Sequence, residues 1–372
     1  MKGTELLSDR HPLIVVVGSG GVGKTTLAAA LGLCSARQGR DTLVMTFDPS
    51  LRLKDALGVG EEARERPVAV PVESDGGRAE TGGVLEASLL DARRTFDRLV
   101  ERYAPDEEAR RRILGNRYYH HLSGRLAGIL EYMAVERLWE VAQEERYDQV
   151  VLDTPPTRQA IDFLEAPQRI VGFLDSGALK LALRPWFDAS GKLRATSGWG
   201  FVGRGVERFL DDVVGLGLLR DMAEFFQAFE PLYGGFRERA AEVEALLRSE
   251  RTLFVLVAGA GEERIADTLY FARRLRDAGY RLGPIVVNRV HPELPAAEEG
   301  RGGGEASGRD PCRVDGRRLL AWLGERDRRG LAELRELLAA DQPLVALPLL
   351  ADEPTDLAAL ERIGRDLLAG LG

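Results

Sequence analysis

Cysteine is almost absent: the 372 residues contain two, Cys34 and Cys312. Two thiols exclude a disulfide framework and leave no Cys-x-x-Cys pair for zinc. Cys34 falls in a helical pattern and reads as a small core residue, while Cys312 falls in a loop. Both suit a reducing cytoplasm. An excess of positive charge is missing too. A formal net charge of −8 argues against nucleic acid as the partner, because backbone binding needs a clustered basic face. Nor does any apolar run approach the roughly 18 residues of a membrane span. The opening "MKGTELLSDRHP" lacks the hydrophobic segment of a signal peptide. The expectation is a cytoplasmic protein with no integral membrane segment. Histidine is scarce, and the adjacent His120 and His121 would point about a hundred degrees apart on a helix, which does not favour a shared metal.

Apolar residues are plentiful at 44%, against 30% charged, enough for one large core or two moderate domains. Short apolar runs recur at 13–17, 42–47, 149–153, 252–257 and 284–288, with helical patterns such as Thr25 to Arg37 and Glu263 to Ala278 between them. Strands alternating with helices predict an α/β fold: a doubly wound, mostly parallel sheet covered on both faces. Ligands of such sheets bind at the carboxyl ends of the strands. One connection is far too long for a simple crossover. Between Asp153 and Thr252 the stretches 169–187, 206–236 and 237–250 carry apolar residues at helical spacing, broken by glycines. They predict an inserted α-helical subdomain over 165–250. The flanking segments 1–164 and 251–372 then form the two parts of the core, with a further helical stretch at 85–146 and a flexible loop at 296–311.

The first apolar run leads into "GSGGVGKTT", Gly18 to Thr26. Gly18, Gly20 and Gly23 satisfy G-x-G-x-x-G, the dinucleotide pattern, and Asp48 follows about a strand and a helix later. Lys24 and Thr25 decide against that reading, because Gly18 to Thr25 matches G-x-x-x-x-G-K-[ST]. The loop glycines let backbone N–H groups turn inward on phosphates at a helix N-terminus. Lys24 is placed to span the β- and γ-phosphates of a nucleoside triphosphate, and the Thr25 hydroxyl to hold Mg2+. Ser19, Gly20, Gly21, Val22, Gly23 and Thr26 complete the cradle. Two carboxylates stand at strand ends, Asp48 in "TFDPS" and Asp153 in "VVLDTPPT". Each suits a helix cap or turn. In one sheet with a phosphate loop, Asp153 also has the place of the acid that holds the magnesium shell.

These stretches together resemble the family of the arsenite-pump ATPase (ArsA) and of the ATPase that targets tail-anchored membrane proteins. The family's loop reads GKGGVGKTT; its two switches resemble "DPSLRLKDALG" (48–58) and "DTPPTRQAIDFLEAP" (153–167). "IVVNRV" (285–290) is similar to the strand whose asparagine, here Asn288, contacts adenine. "LPLLADEPTDLAALERIG" (347–364) is similar to the adenine loop, which puts Pro348 and Leu349 near the base. The resemblance implies that Asp48 polarises the attacking water and that Asp153 senses magnesium and moves the second switch. It also implies a dimer that closes on ATP and, in the targeting members, a groove in the helical insertion for a hydrophobic or membrane-associated client. Ser19 stands where the family carries a lysine that reaches the partner's phosphates. Arg52 and Arg158, which replace a family asparagine and glycine, are candidates to supply the charge, and so is a paralogue in a heterodimer. Two cysteines without useful spacing do not suit arsenite.

Overall fold

The computed structural model describes residues 2–48, 52–72, 82–104, 106–115, 129–156, 160, 163–166, 168–169, 233–294, 316–354 and 356–372. Eight strands form one sheet: β1 (Leu13–Gly18), β2 (Thr42–Thr46), β3 (Val68–Ala69), β4 (Leu85–Leu89), β5 (Gln149–Asp153), β6 (Thr252–Gly259), β7 (Leu282–Val290) and β8 (Leu344–Pro348). The helices are α1 (Gly3–Leu6), α2 (Lys24–Arg37), α3 (Arg52–Leu57), α4 (Ala92–Tyr103), α5 (Glu107–Leu114), α6 (Ile129–Glu144), α7 (Tyr233–Arg248), α8 (Ile265–Asp277), α9 (Gly316–Leu337) and α10 (Leu357–Gly370). Two compact units result. One comprises Met1–Leu89, Glu145–Ala160 and Leu246–Gly372; the other comprises Leu90–Glu144 and Ile161–Ala245.

The first unit holds the sheet, ordered β3-β4-β2-β5-β1-β6-β7-β8. Every strand pair is parallel except β3 with β4 at one edge. β1 sits in the middle with all six residues buried, as expected for a parallel strand covered on both faces. From β1 the chain passes to β2 and the edge strand β3, returns through β4 to β5 beside β1, and then crosses to β6, β7 and β8 on the other side. That reversal makes the carboxyl ends of β1, β5 and β6 the switch point where ligands of such sheets bind. Pro284 lies inside β7 and cannot donate to the ladder, and the β6–β7 register shifts between Phe254 and Leu256.

The α2 sequence "TTLAAALGLCSAR" has little polar face because the helix is covered on nearly all sides. Gly32 lets it approach Val44 of the sheet, and Gly364 of α10 lies against Cys34 Sγ and the Ala30 carbonyl. Cys34 is therefore a core thiol, pushed up to about 11 by burial. Such a group is not a thiolate at neutral pH, so it is a poor ligand for soft metals.

Two stretches differ from the sequence expectation. The helical stretch expected from residue 85 opens on a strand, because "LEASL" alternates apolar and polar and pairs with β2 from Thr42–Leu85 to Thr46–Leu89. Glu86 is tolerated there because Arg146 donates to its Oε1 at 2.7 Å and the Tyr147 hydroxyl to its Oε2. β8 extends the other edge, where no strand was expected. Of the helical patterns in the long connection, residues 170–232 lie outside the described residues, and α7 covers the last part. The loop 296–311, Cys312, His120, His121 and Arg158 also lie outside them.

The second unit is built on α4, α5, α6 and α7, with Phe96, Leu99, Ile113, Met133 and Phe236 in its core. A charge pair runs through that core. Arg239 Nε donates to Glu136 Oε2 at 2.6 Å, with both side chains nearly inaccessible, and the Tyr132 hydroxyl donates to the other carboxylate oxygen. The guanidinium lies 4.2 Å from the centre of the Tyr103 ring. Burial pushes the Glu136 carboxyl up, and Arg239 opposes that. We expect Arg239→Met alone to cost about 3–5 kcal/mol, because it strands a buried carboxylate, whereas Arg239→Met with Glu136→Leu costs far less. Urea titrations followed by tryptophan fluorescence, with Trp139 in α6, test this. Equal costs for the single and double variants would overturn it.

Candidate functional site: a phosphate loop at the switch point

Residues 18–26 run from the end of β1 into α2. Two glycines are required by the path. Gly18 has φ 153°, and a side chain there would strike the Val257 carbonyl of β6. Gly23 has φ 95° as the N-terminal cap of α2, and a side chain there would strike the Asn288 amide. Gly20 faces Pro156, from the start of the second switch stretch. The Val22 side chain is buried, and its carbonyl accepts from Asn288 Nδ2 at 2.8 Å. Lys24 folds back over the loop, its ammonium donating to the Ser19 carbonyl at 3.0 Å. Burial lowers the Lys24 pKa; Asp153 and Asp48 oppose this, and Arg52 adds to it. Arg52, at the start of α3, therefore stands within electrostatic reach of the loop.

Asp153 is the hub. It ends β5, fully buried, directly opposite Thr46 in the β2 register. Thr25 Oγ1 and Thr46 Oγ1 both donate to its Oδ2, at 2.8 and 2.9 Å. Thr46 Oγ1 in turn accepts from the Asp48 N–H at 3.1 Å. Two hydroxyls thus tie the loop, the second strand and the fifth strand to one carboxylate oxygen. The other oxygen, Oδ1, is buried with no partner among the described residues. Burial pushes the carboxyl up to about 6, against the pull of Thr25, Thr46 and Lys24. An orphaned carboxylate oxygen beside a threonine hydroxyl is a donor set for a hard cation that keeps waters and takes its remaining ligands from phosphates. The residues therefore fit Mg2+.

On the other side of the loop a cleft of about 250 Å3 opens. Gly23, Thr26, Asn288, Pro348 and Leu349 all line it, so the three residues expected near a base, Asn288, Pro348 and Leu349, lie together beside two residues of the phosphate loop. Leu349 is 40% exposed and presents an apolar surface to the cleft. The Asn288 amide holds the loop with its nitrogen, while its Oδ1 accepts from the Arg289 N–H at 2.9 Å. Sequence reasoning missed several contributors. Thr46 was hidden in an apolar run, although a hydroxyl two residues before a strand-end aspartate is a usable signal. Arg289, Ile363 and Asp366 also line the cleft, and the last two come from α10.

Among the described residues no helix is long and apolar enough to cross a membrane. The chain is 28% identical over 326 residues to an uncharacterized protein of Streptomyces coelicolor, covering 86% of this chain and 71% of the relative. It is 24% identical to a putative arsenical pump-driving ATPase of Aquifex aeolicus, covering 95% and 78%. With an ATPase ASNA1 homolog of Trypanosoma cruzi it shares 25% identity, over 98% of this chain and 93% of that one. The model of the anion-transporting ATPase family matches residues 11–197, which hold the phosphate loop, Asp48 and Asp153. A phosphate loop at the switch point, two strand-end aspartates and that match give one conclusion: the chain belongs to the anion-transporting ATPase family, of ArsA type.

Proposed function

We propose that the protein is a Mg2+-dependent ATPase that hydrolyses ATP to ADP and phosphate and uses the cycle to change conformation. The observation that carries the reading is the Asp153 cluster: one carboxylate oxygen joins Thr25 to Thr46, and the other is buried and bare. A magnesium ion bound with the nucleotide supplies charge for the β- and γ-phosphates. Thr25 and Asp153 are the residues that hold it. Lys24 leaves the Ser19 carbonyl for the phosphates, and the loop N–H groups cradle them. Asp48 orients the attacking water. The base rests among Asn288, Pro348 and Leu349. The protein works in the cytoplasm as a homodimer, or as a heterodimer with a paralogue, on a hydrophobic or membrane-associated protein client. The client reading is supported by the resemblance of 48–58 and 153–167 and by the apolar helical pattern of 169–236. Burial of Cys34 as a neutral thiol speaks against arsenite as the cargo.

Steady-state ATP turnover over a range of protein concentrations tests the reading. Turnover should rise with concentration and fall about 10²–10⁴-fold in Asp48→Asn, the range for loss of a base that activates a nucleophile. One observation favours a second reading, a weakly hydrolysing scaffold or regulatory half of a heterodimer: Ser19 brings no charge to the position of the family lysine. Nucleotide binding without turnover, restored by Ser19→Lys or by adding the paralogue, selects that second reading.

A further inference from the structure

Arg289, next to last in β7, has a backbone conformation that few arginines adopt. Its φ is 61°, in the left-handed region that glycine visits freely and residues carrying a Cβ rarely adopt. The unusual turn brings its side chain back onto the phosphate loop, where Nη1 donates to the Gly21 carbonyl at 3.3 Å. Asn288 takes the next carbonyl, that of Val22, at 2.8 Å. Two consecutive side chains thus hold two consecutive carbonyls, which keeps the outer face of the loop fixed while its N–H groups remain for phosphate.

The guanidinium has five donors, and the bond to Gly21 uses one. Arg289 is exposed and lines the cleft beside Gly23 and Thr26. Asp352, Glu353 and Asp366 line the same cleft, yet no carboxylate among the described residues pairs with it. A strained backbone that aims an open cation into a ligand cleft is a feature that folding alone does not call for. Planar guanidinium forks match phosphate oxygens in geometry as well as charge.

We propose that Arg289 is a nucleotide-contacting residue, anchored on Gly21 by one arm and presenting its remaining donors to the polyphosphate. This role rests on the ATP-binding reading above.

Calorimetric binding of ATP, ADP and AMP with Mg2+ to the purified full chain tests it, using wild type, Arg289→Asn, Arg289→Lys and Lys24→Ala. Asparagine tolerates the left-handed backbone, so Arg289→Asn keeps the turn while removing the charge. It should weaken ATP about 10- to 100-fold, the range for a charge-assisted hydrogen bond. The loss should shrink from ATP to AMP, and Arg289→Lys should recover part of it. Equal loss for all three nucleotides with a lowered melting temperature would make Arg289 a brace for the loop and overturn the proposal. Unchanged ATP affinity in Arg289→Asn, with affinity lost in Lys24→Ala, would overturn it while the ATP-binding reading stands. Failure of the wild type to bind any of the three would bring down both.

Discussion

Lys24→Met is expected to remove nucleotide binding while leaving the empty protein at least as stable as the wild type. The ammonium is buried and bonded to the Ser19 carbonyl, and burial lowers its pKa. Keeping that charge in place therefore costs the fold something, and a methionine of similar volume relieves the cost. Bound phosphate reverses the balance. Charge-assisted hydrogen bonds contribute about 1.5–3 kcal/mol each, so loss of two to the β- and γ-phosphates weakens ATP about 10²–10⁴-fold. Thermal melting with and without Mg2+ and ATP reads both effects. Ligand at about a hundred times its Kd stabilises by about 2.7 kcal/mol, so the wild type should show a clear upward shift. Lys24→Met should show none, with its baseline melting temperature equal or higher. A variant that keeps the shift would mean that Lys24 does not touch the nucleotide.

The parts of this site that could be read from the sequence are those whose residues act through the local chain. The phosphate loop has its whole logic within nine residues, and strands buried on both faces announce themselves as apolar runs. The parts that could not be read depend on register and long-range contact. β4 carries Glu86, whose acceptable burial depends on Arg146 and Tyr147 from sixty residues away. Thr46 looks like one more strand residue until β5 pairs with β2 and sets it opposite Asp153. Arg289 looks like a surface cation until its left-handed backbone turns it onto Gly21. The far wall of the cleft depends on α10 approaching α2 through Gly364 against Cys34, a contact between residues 330 positions apart in the chain. Asn288 shows a mixture of both cases. Its resemblance to the family's asparagine makes it an expected base contact, and the structure adds that the same amide holds the loop.

Asp153 should make the stability of the empty protein fall as pH rises, and Asp153→Asn should remove that part of the profile. Burial carries the carboxyl from its ordinary 3.8 to about 6. Below pH 4 the group is protonated both folded and unfolded and contributes no slope. Between pH 4 and 6 the unfolded chain releases its proton while the folded chain keeps it, so stability declines through that window. Above about pH 6 the full cost is in place, about 3 kcal/mol for a displacement of this size. The remaining titrating groups are common to both proteins, so the difference between their urea profiles isolates residue 153. Magnesium changes the sign of the requirement. It selects the ionised carboxylate, so Mg2+-dependent ATP affinity should weaken about tenfold for each pH unit below 6. In Asp153→Asn the amide oxygen still accepts from Thr25 and Thr46, but an NH2 group replaces the bare Oδ1 and offers nothing to a cation. That variant should bind Mg2+ and ATP weakly at every pH, with its turnover lost. Parallel stability profiles for the two proteins, or unchanged magnesium dependence in the variant, would show that Asp153 is an ordinary buried cap rather than the ion's partner. The predicted pattern follows from the same bare oxygen: it destabilises the fold at neutral pH when no cation is bound, and it is the donor that Asp153 would offer to magnesium.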